Sequence, residues 1–447
     1  MNTMSDTDRF SERIRTLLGP DEVLVSRAPG RIDLMGGIAD YSGSLVLQWP
    51  LAAATHVALQ FQQAPTIQVR SLSSAAEYED RFFEMPVAEF ASATDYKSAR
   101  ALFETDSEKH WAAYVAGAFF VLRRERNCVL ERGAQIVIAS DVPEGKGVSS
   151  SAALEVAAMT AIAAAYGIDI SPQEIAFLSQ KVENLVAGAP CGVMDQMTAA
   201  CGARNRLLAL LCQPGELKGT ISLPEQLTIW GLDSGIRHSV AGTAYGVVRT
   251  AAFMGQRIIR DVAGFSTRGY LANITPDEFD KQLATYLPEQ MSGEDFLSRY
   301  DGISDSVTSV NPDQMYPVFA ATKHPIYEHA RVKLFAEVLQ SWKGPRAGKT
   351  LGKLMYESHE SYSACGLGSS GTDELVRLVR EAGPDSGLYG AKITGGGSGG
   401  TVAVLSERSA APRVQEIVSR YADRTGYQPL LITGSSDGAA KFGILRI

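Results

Sequence analysis

The chain has 447 residues, 45% hydrophobic and 21% charged, the mixture of an ordinary globular protein and enough length for two domains of about 200 residues each. Forty-two basic against fifty acidic side chains leave a formal charge of −8. That excludes a general nucleic-acid binder with a basic face, but not a pocket for a small anion.

The first twenty residues contain no apolar segment of the secretory kind, and Phe10, Ile14, Leu17 and Leu18 fall on one helical face. Val23–Ser26 reads as a short strand ending at Pro29-Gly30, with further strands at Ser44–Trp49, Thr66–Val69 and Gln135–Ala139. The Ala-rich stretch Ser150–Tyr166 predicts a helix. Its apolar run, Val156–Ile168, is shorter than the ~20 residues of a membrane span and is preceded by Glu155, so a buried helix is expected. A second helix is predicted over Pro172–Val186, then strands at Leu207–Leu211 and Leu227–Leu232. The stretch from Ala263 to Asp313 is polar and turn-rich, the pattern of an insertion or a loosely packed segment. Helices follow at Tyr327–Ser341, Leu351–Ser361, Gly371–Glu381 and Arg413–Thr425. Strands are expected at Gly390–Thr394, Thr401–Leu405 and Leu430–Thr433. Strands and helices mix without strict βαβ alternation, which predicts α+β architecture rather than a doubly wound sheet. The five cysteines form no CxxC pair and the six histidines show no metal-ligand spacing. A reduced, cytoplasmic protein without a structural zinc site is the expectation.

Glycine is concentrated at three places. Arg27–Gly43 (RAPGRIDLMGGIADYSG) holds Arg31, Asp33 and Asp40 in and around two glycine-rich bends. Pro143–Ala153 (PEGKGVSSSAA) runs from two glycines and three serines straight into a helix. A helix N-terminus offers unpaired N–H groups and a positive dipole end, and flanking glycines let backbone approach a polyphosphate. A serine cap on a core helix is the alternative, and the spacing is not that of the GxxxxGK[ST] loop. Lys392–Gly400 (KITGGGSGG) has five glycines in six positions between two strands, a backbone that something must approach closely. A fourth segment, Glu183–Gln196, carries one carboxylate on a helix and a second, Asp195, among Val193, Met194 and Met197. An acid in such an apolar setting is more often positioned than solvated.

Taken together and in order, these segments resemble the GHMP kinase family. Its APGRxNLxGEHxDY motif is matched, with departures, by Ala28–Tyr41, its CGxMDQ by Cys191–Gln196, and its TGGGxGG by Thr394–Gly400. The galactokinase branch is approached further at Trp111–Gly117, Asp233–His238, Tyr245, His324, Arg331-Val332 and Glu357–His359. Within that branch Arg27–Leu47, Val142–Ala152 and Val182–Gln196 are most similar to the kinase domain of the L-arabinokinases.

The resemblance implies a two-domain fold: an N-terminal domain (1–225) like ribosomal S5 domain 2 and a ferredoxin-like C-terminal domain (226–447), with ATP and a sugar in the cleft between. Asp195 takes the place of the catalytic aspartate and Arg31 that of the arginine near the γ-phosphate. Gly145, Lys146, Gly147, Val148, Ser149, Ser150, Ser151 and Ala152 take the phosphate loop, and Trp111 a place beside adenine or in the core. Ser151, of the three serines, and Glu183 match the Mg²⁺ ligands. Both are hard oxygen donors, with phosphates and water left to complete the octahedron. Asp40, Gly37, Ile38, Gly192, Tyr245 and Gly396 fall at the sugar. No nucleic-acid or membrane partner is implied, and the oligomer is left as monomer or homodimer.

One departure is informative. Galactokinases carry Glu-His where this chain has Gly37-Ile38, and the glutamate there binds the exocyclic C6 hydroxyl. L-Arabinopyranose has galactose's ring stereochemistry without that CH₂OH arm. A buried hydroxyl left unpaired costs about 1–3 kcal/mol, so losing its partner disfavours galactose roughly ten- to hundred-fold. The expected reaction is therefore ATP-dependent phosphorylation of the anomeric hydroxyl of L-arabinose to β-L-arabinose 1-phosphate. D-Galactose phosphorylation, or a sugar and ATP sensor without turnover, are the alternatives. Asp33 in place of the motif's asparagine leaves the local hydrogen bonding open.

Overall fold

A computed structural model describes residues 5–73, 80–236 and 244–447; Arg237 and His238, part of the galactokinase-like match, lie outside them. The architecture is α+β, as expected. An eight-stranded sheet runs in the order Leu445–Arg446, Leu24–Met35, Leu45–Gln62, Gly133–Ser140, Thr66–Ser71, Arg81–Pro86. Arg206–Leu211 pairs with the first residues of Leu45–Gln62 and carries Glu216–Ser222 on its other edge. Among the described residues only the pairing of Thr66–Ser71 with Gly133–Ser140 is parallel. A second, four-stranded antiparallel sheet has the order Leu388–Ile393, Thr401–Glu407, Leu227–Asp233, Leu431–Ile432.

Two strands are longer than expected. The first crosses Pro29-Gly30 and continues to Met35, because the register shifts between Pro29 and Arg31. A bulge there accommodates a residue with no N–H. Leu45–Gln62 runs thirteen residues past the predicted Trp49 end. Helix starts follow their caps: Ser171 accepts from the Glu174 N–H with Pro172 in the first turn, and Ser369 accepts from the Thr372 N–H ahead of Ser370–Ala382. The helix Val318–Gln340 starts nine residues earlier than Tyr327 and contains Pro325.

The helix Ser150–Ala165 lies on the first sheet, and Ala113–Arg126, Pro172–Lys181 and Met194–Cys201 pack around it in one apolar core. Among the described residues no helix is long and apolar enough to cross a membrane. A second core is shared between the sheets: Ile32, Leu47 and Trp49 of the first meet Leu227, Ile229 and Leu405 of the second. The final residues, Ala439–Phe442 and Leu445–Arg446, return to the first sheet.

The polar stretch 263–313 is not loose. Leu271, Ile274, Phe279, Leu283 and Phe296 are buried against the helices Ala244–Val262 and Val318–Gln340. Short helical turns space these apolar residues inward, so average composition concealed a packed segment.

Candidate active site

Three glycine-rich places meet at one partly open cavity. Arg31 reaches it from the long first strand, Asp195 from the first turn of Met194–Cys201, Gly145, Gly147 and Ser149 from the loop ahead of Ser150–Ala165, and Ser150 and Ser151 from the first turn of that helix.

The loop is shaped for close approach. Gly145 and Gly147 have φ of 68° and 70°, and Ser149 itself sits at φ 61°, a conformation that costs a non-glycine residue and needs compensation. Ser149 occupies the N-cap position but makes no side-chain cap. Its hydroxyl donates instead a short hydrogen bond to Asp195 Oδ2. No side chain therefore caps this helix start, which leaves its N–H groups and dipole facing the cavity. The third glycine place packs on the second: a Cβ at Gly395 would lie 2.6 Å from the Gly147 carbonyl oxygen, and one at Gly400 2.7 Å from that of Lys146. The close neighbour demanded by those glycines is thus the loop backbone.

Arg31 and Asp195 are joined by two 2.8 Å hydrogen bonds, Nε to Oδ1 and Nη2 to Oδ2. Nη1 donates to the Gly147 carbonyl at 2.7 Å, tying the same guanidinium to the loop. Burial works against the Arg31 charge, but Asp195 more than offsets it and raises its pKa.

Behind the loop lies an acidic group. Burial, then the Asp195 charge, pushes Glu183 up to about 7, and burial next to Glu183 holds Glu155 well above the ordinary range. Gln196 Nε2 donates to both, at 2.5 and 3.1 Å, and Ser151 hydrogen-bonds Glu183. Glu183 sits in a short π-helical stretch, Val182–Ala187, continuing Pro172–Lys181; the predicted helix to Val186 is thereby split, and such bulges are frequent at functional sites. Ser151 and Glu183 both line the cavity. Hydroxyl and carboxylate oxygens beside carboxylates short of positive charge fit a hard divalent cation. Among the described residues no three His, Cys, Asp or Glu side chains form a metal cluster, so further ligands would come from phosphates and water.

Ile38, Asp40, Gly192, Tyr245 and Gly396 line the same cavity. A Cβ at Gly192 would lie 1.7 Å from Asp40 Oδ2; only glycine admits that carboxylate. Burial, then Asp195, pushes Asp40 up to about 7.

Some expected residues are not on the cavity wall. Lys146 Nζ turns to Asp233 at 2.7 Å and sits 5.5 Å over the Tyr427 ring. Val148 and Ala152 are buried behind the loop, and the Val148 carbonyl accepts from the Arg31 N–H at 3.0 Å. Trp111 packs half-buried against the first core. Gly37 lies behind Ile38 with Tyr362 against it.

Other residues escaped the sequence reading. Glu155, an acid inside an apolar helix, carried a signal that was read only as a break in hydrophobicity. Arg249 carried none: its guanidinium pairs with Asp305 at 2.7 and 2.9 Å and donates to the Cys191 carbonyl at 2.9 Å. Asp33, standing for asparagine, is explained by a fully buried ion pair with Lys392 Nζ at 2.6 Å.

The chain is similar to known proteins in both sequence and fold. Residues 113–203 match the GHMP kinases N terminal domain, 335–424 the GHMP kinases C terminal domain, and 9–61 the galactokinase galactose-binding signature. L-arabinokinase of Arabidopsis thaliana is 44% identical over 96% of this chain; the chain spans about half (47%) of that protein's length. A galactokinase of Chloroflexus aggregans is 29% identical over 94% of this chain and 93% of its own. The Lactococcus lactis galactokinase, solved with galactose, has the same fold, with a TM-score of 0.75 at 19% identity over 97% of this chain and 99% of that one. Both halves of the fold, the ordered motifs and the galactokinase signature converge: the chain belongs to the GHMP kinase family.

Proposed function

We propose that this chain is an ATP-dependent sugar 1-kinase that phosphorylates the anomeric hydroxyl of L-arabinose, giving β-L-arabinose 1-phosphate and ADP. The reading rests on one observation: the Arg31–Asp195 pair is hydrogen-bonded to an uncapped, glycine-flanked helix start and shares one cavity with Asp40, Gly192 and Ile38.

The triphosphate would lie on the backbone of Gly145–Ser151, where the helix N-terminus supplies N–H donors. Asp195 orients the sugar hydroxyl, and Arg31 carries positive charge to the transferring phosphoryl group. Phosphoryl transfer depends mainly on positioning and charge stabilisation, so this pair supplies what the step needs. A carboxylate is a weak base for a hydroxyl, so the hydroxyl proton leaves late in the step, as the phosphoryl group transfers. Ser151 and Glu183 would hold Mg²⁺, which neutralises phosphate charge when bound. Asp40 and Tyr245 would contact ring hydroxyls, and Trp111 the adenine side. The two-part organisation, 1–225 and 226–447, would place the nucleotide loop in one part and Gly396 in the other, in a cytoplasmic enzyme.

L-Arabinose is favoured because the wall at Gly37-Ile38 offers no polar side chain to an exocyclic hydroxyl. The match of residues 9–61 to the galactose-binding signature supports D-galactose as the second reading. Purified protein, ATP and a panel of L-arabinose and D-galactose, followed by ADP release and by ³¹P NMR of the product, decide between them. Equal turnover of both sugars overturns the specificity, and sugar binding without ADP release overturns the kinase reading.

A further inference from the structure

The absence of a side chain at residue 37 has a structural counterpart. A Cβ on Gly37 would stand 1.6 Å from the Tyr362 hydroxyl and 2.8 Å from both its Cζ and Asp33 Oδ2. Gly37 also has φ of 41°, which disfavours any side chain. Tyr362, from the helix Pro345–Ala364, thus occupies the volume that a residue-37 side chain would fill.

Tyr362 is fully buried and fixed from several sides. Its hydroxyl accepts from the Ile38 N–H at 2.9 Å and donates to the Gly395 carbonyl at 3.0 Å. Lys392 Nζ, paired with Asp33, stands 5.1 Å from the ring centroid, and the His324 ring meets it edge-on at 5.2 Å. Ile38 and Gly395 line the cavity, while Tyr362 does not. One hydroxyl therefore ties together two pieces of the pocket wall.

We infer that Tyr362 is a positioning residue that sets sugar specificity: its hydroxyl fills the space behind Gly37 and holds Ile38 and Gly395 in the wall, closing the pocket to an exocyclic arm. This rests on the sugar-kinase reading above. Losing the hydroxyl would leave a buried N–H and C=O unpaired and release Ile38, so the effect falls on the fit of the sugar more than on phosphoryl transfer.

The test compares L-arabinose, D-galactose and D-fucose, which has galactose's ring with a methyl in place of CH₂OH. In Tyr362→Phe the arabinose-to-galactose ratio of kcat/KM falls at least ten-fold, carried by a higher KM for arabinose, and D-fucose moves with galactose. A loss by one common factor for all three sugars overturns the inference. A second arm reads the shared volume: Gly37→Glu lowers Tm sharply, and adding Tyr362→Leu recovers at least half of the loss and shifts the ratio toward galactose. Gly37→Glu as stable as the parent, or no recovery in the double variant, overturns it. Parent protein that phosphorylates none of the sugars overturns the functional reading and the inference with it, whereas turnover with an unchanged ratio in Tyr362→Phe removes only Tyr362.

Discussion

Arg31 and Asp195 face each other as fork on fork, two nitrogens on two oxygens at 2.8 Å each, and the Ser149 hydroxyl shares Oδ2. Asp195→Asn keeps the shape and removes the charge. Turnover is expected to fall by about three orders of magnitude, with the circular dichroism spectrum unchanged. ADP release measured with saturating sugar and ATP checks this, and a variant with ordinary rates would remove Asp195 from the chemistry.

Gly192 is where the carboxylate of Asp40 comes closest to the backbone. In Gly192→Ala the new methyl would overlap Asp40 Oδ2, 1.7 Å away, so Asp40 must leave its place. Overpacking of this kind costs about 1–3 kcal/mol. Denaturant unfolding should show that loss, and isothermal titration with the sugar should show affinity reduced by at least ten-fold.

Much of the site was legible because its chemistry depends on local backbone. Glycines and serines in PEGKGVSSSAA and TGGGSGG announce close approaches, and Arg31, Asp195 and Glu183 sit inside short motifs. The contacts that were not legible join distant parts of the chain. Tyr362 behind Gly37 is 325 residues away in sequence (362 − 37), and Lys392 under Asp33 is 359 residues away. No periodicity encodes such pairs. The fold was misread for the opposite reason, where local signals were overridden: Pro29-Gly30 looked like a strand end but is absorbed by a bulge. In 263–313, scattered apolar residues converge only once folded.

Asp40 is expected to make sugar binding sensitive to pH. Its carboxyl is pushed up to about 7 by burial and by Asp195. The sign for folding is that protonated Asp40 is preferred in the native state, so its contribution is largest at low pH and is lost as pH rises through 7. Sugar binding runs the other way if the carboxylate accepts hydroxyl hydrogen bonds: affinity should rise through pH 7 and level off above 8. Fluorescence titrations of the sugar from pH 5.5 to 8.5 test this, and Asp40→Asn should flatten the profile.

His324 adds an acid sensitivity to the fold. Burial pushes its pKa down to about 4, and its Nδ1 lies 2.7 Å from Ser361 Oγ. A base lowered in the native state stabilises above its unfolded value, and that stability is lost as pH falls from 6.5 toward 4. At pH 5 the loss is about 2 kcal/mol, from about 1.4 kcal/mol per unit. His324→Gln cannot titrate, so its Tm should drop less than the parent's between pH 7 and 5. Parallel Tm curves would show that His324 takes up its proton as readily in the native state as in the unfolded chain.

The packed 263–313 segment reaches the site through Asp305. Arg249 and Asp305 are both buried, joined by two hydrogen bonds, and Arg249 also donates to the Cys191 carbonyl beside Gly192. The Arg249 charge acts on Asp40 as well, opposing the rise in its pKa. Removing one partner of a buried pair leaves the other uncompensated, at about 3–5 kcal/mol. Asp305→Ala is therefore expected to lose stability on that scale in urea unfolding. It should also raise the sugar KM, because an unanchored Arg249 no longer fixes the Cys191–Gly192 turn, while the ATP KM changes little. Replacing both partners by apolar residues should restore much of the stability and not the sugar KM. That split separates the pair's role in the pocket from its role in the core, and recovery of both together would confine Asp305 to folding.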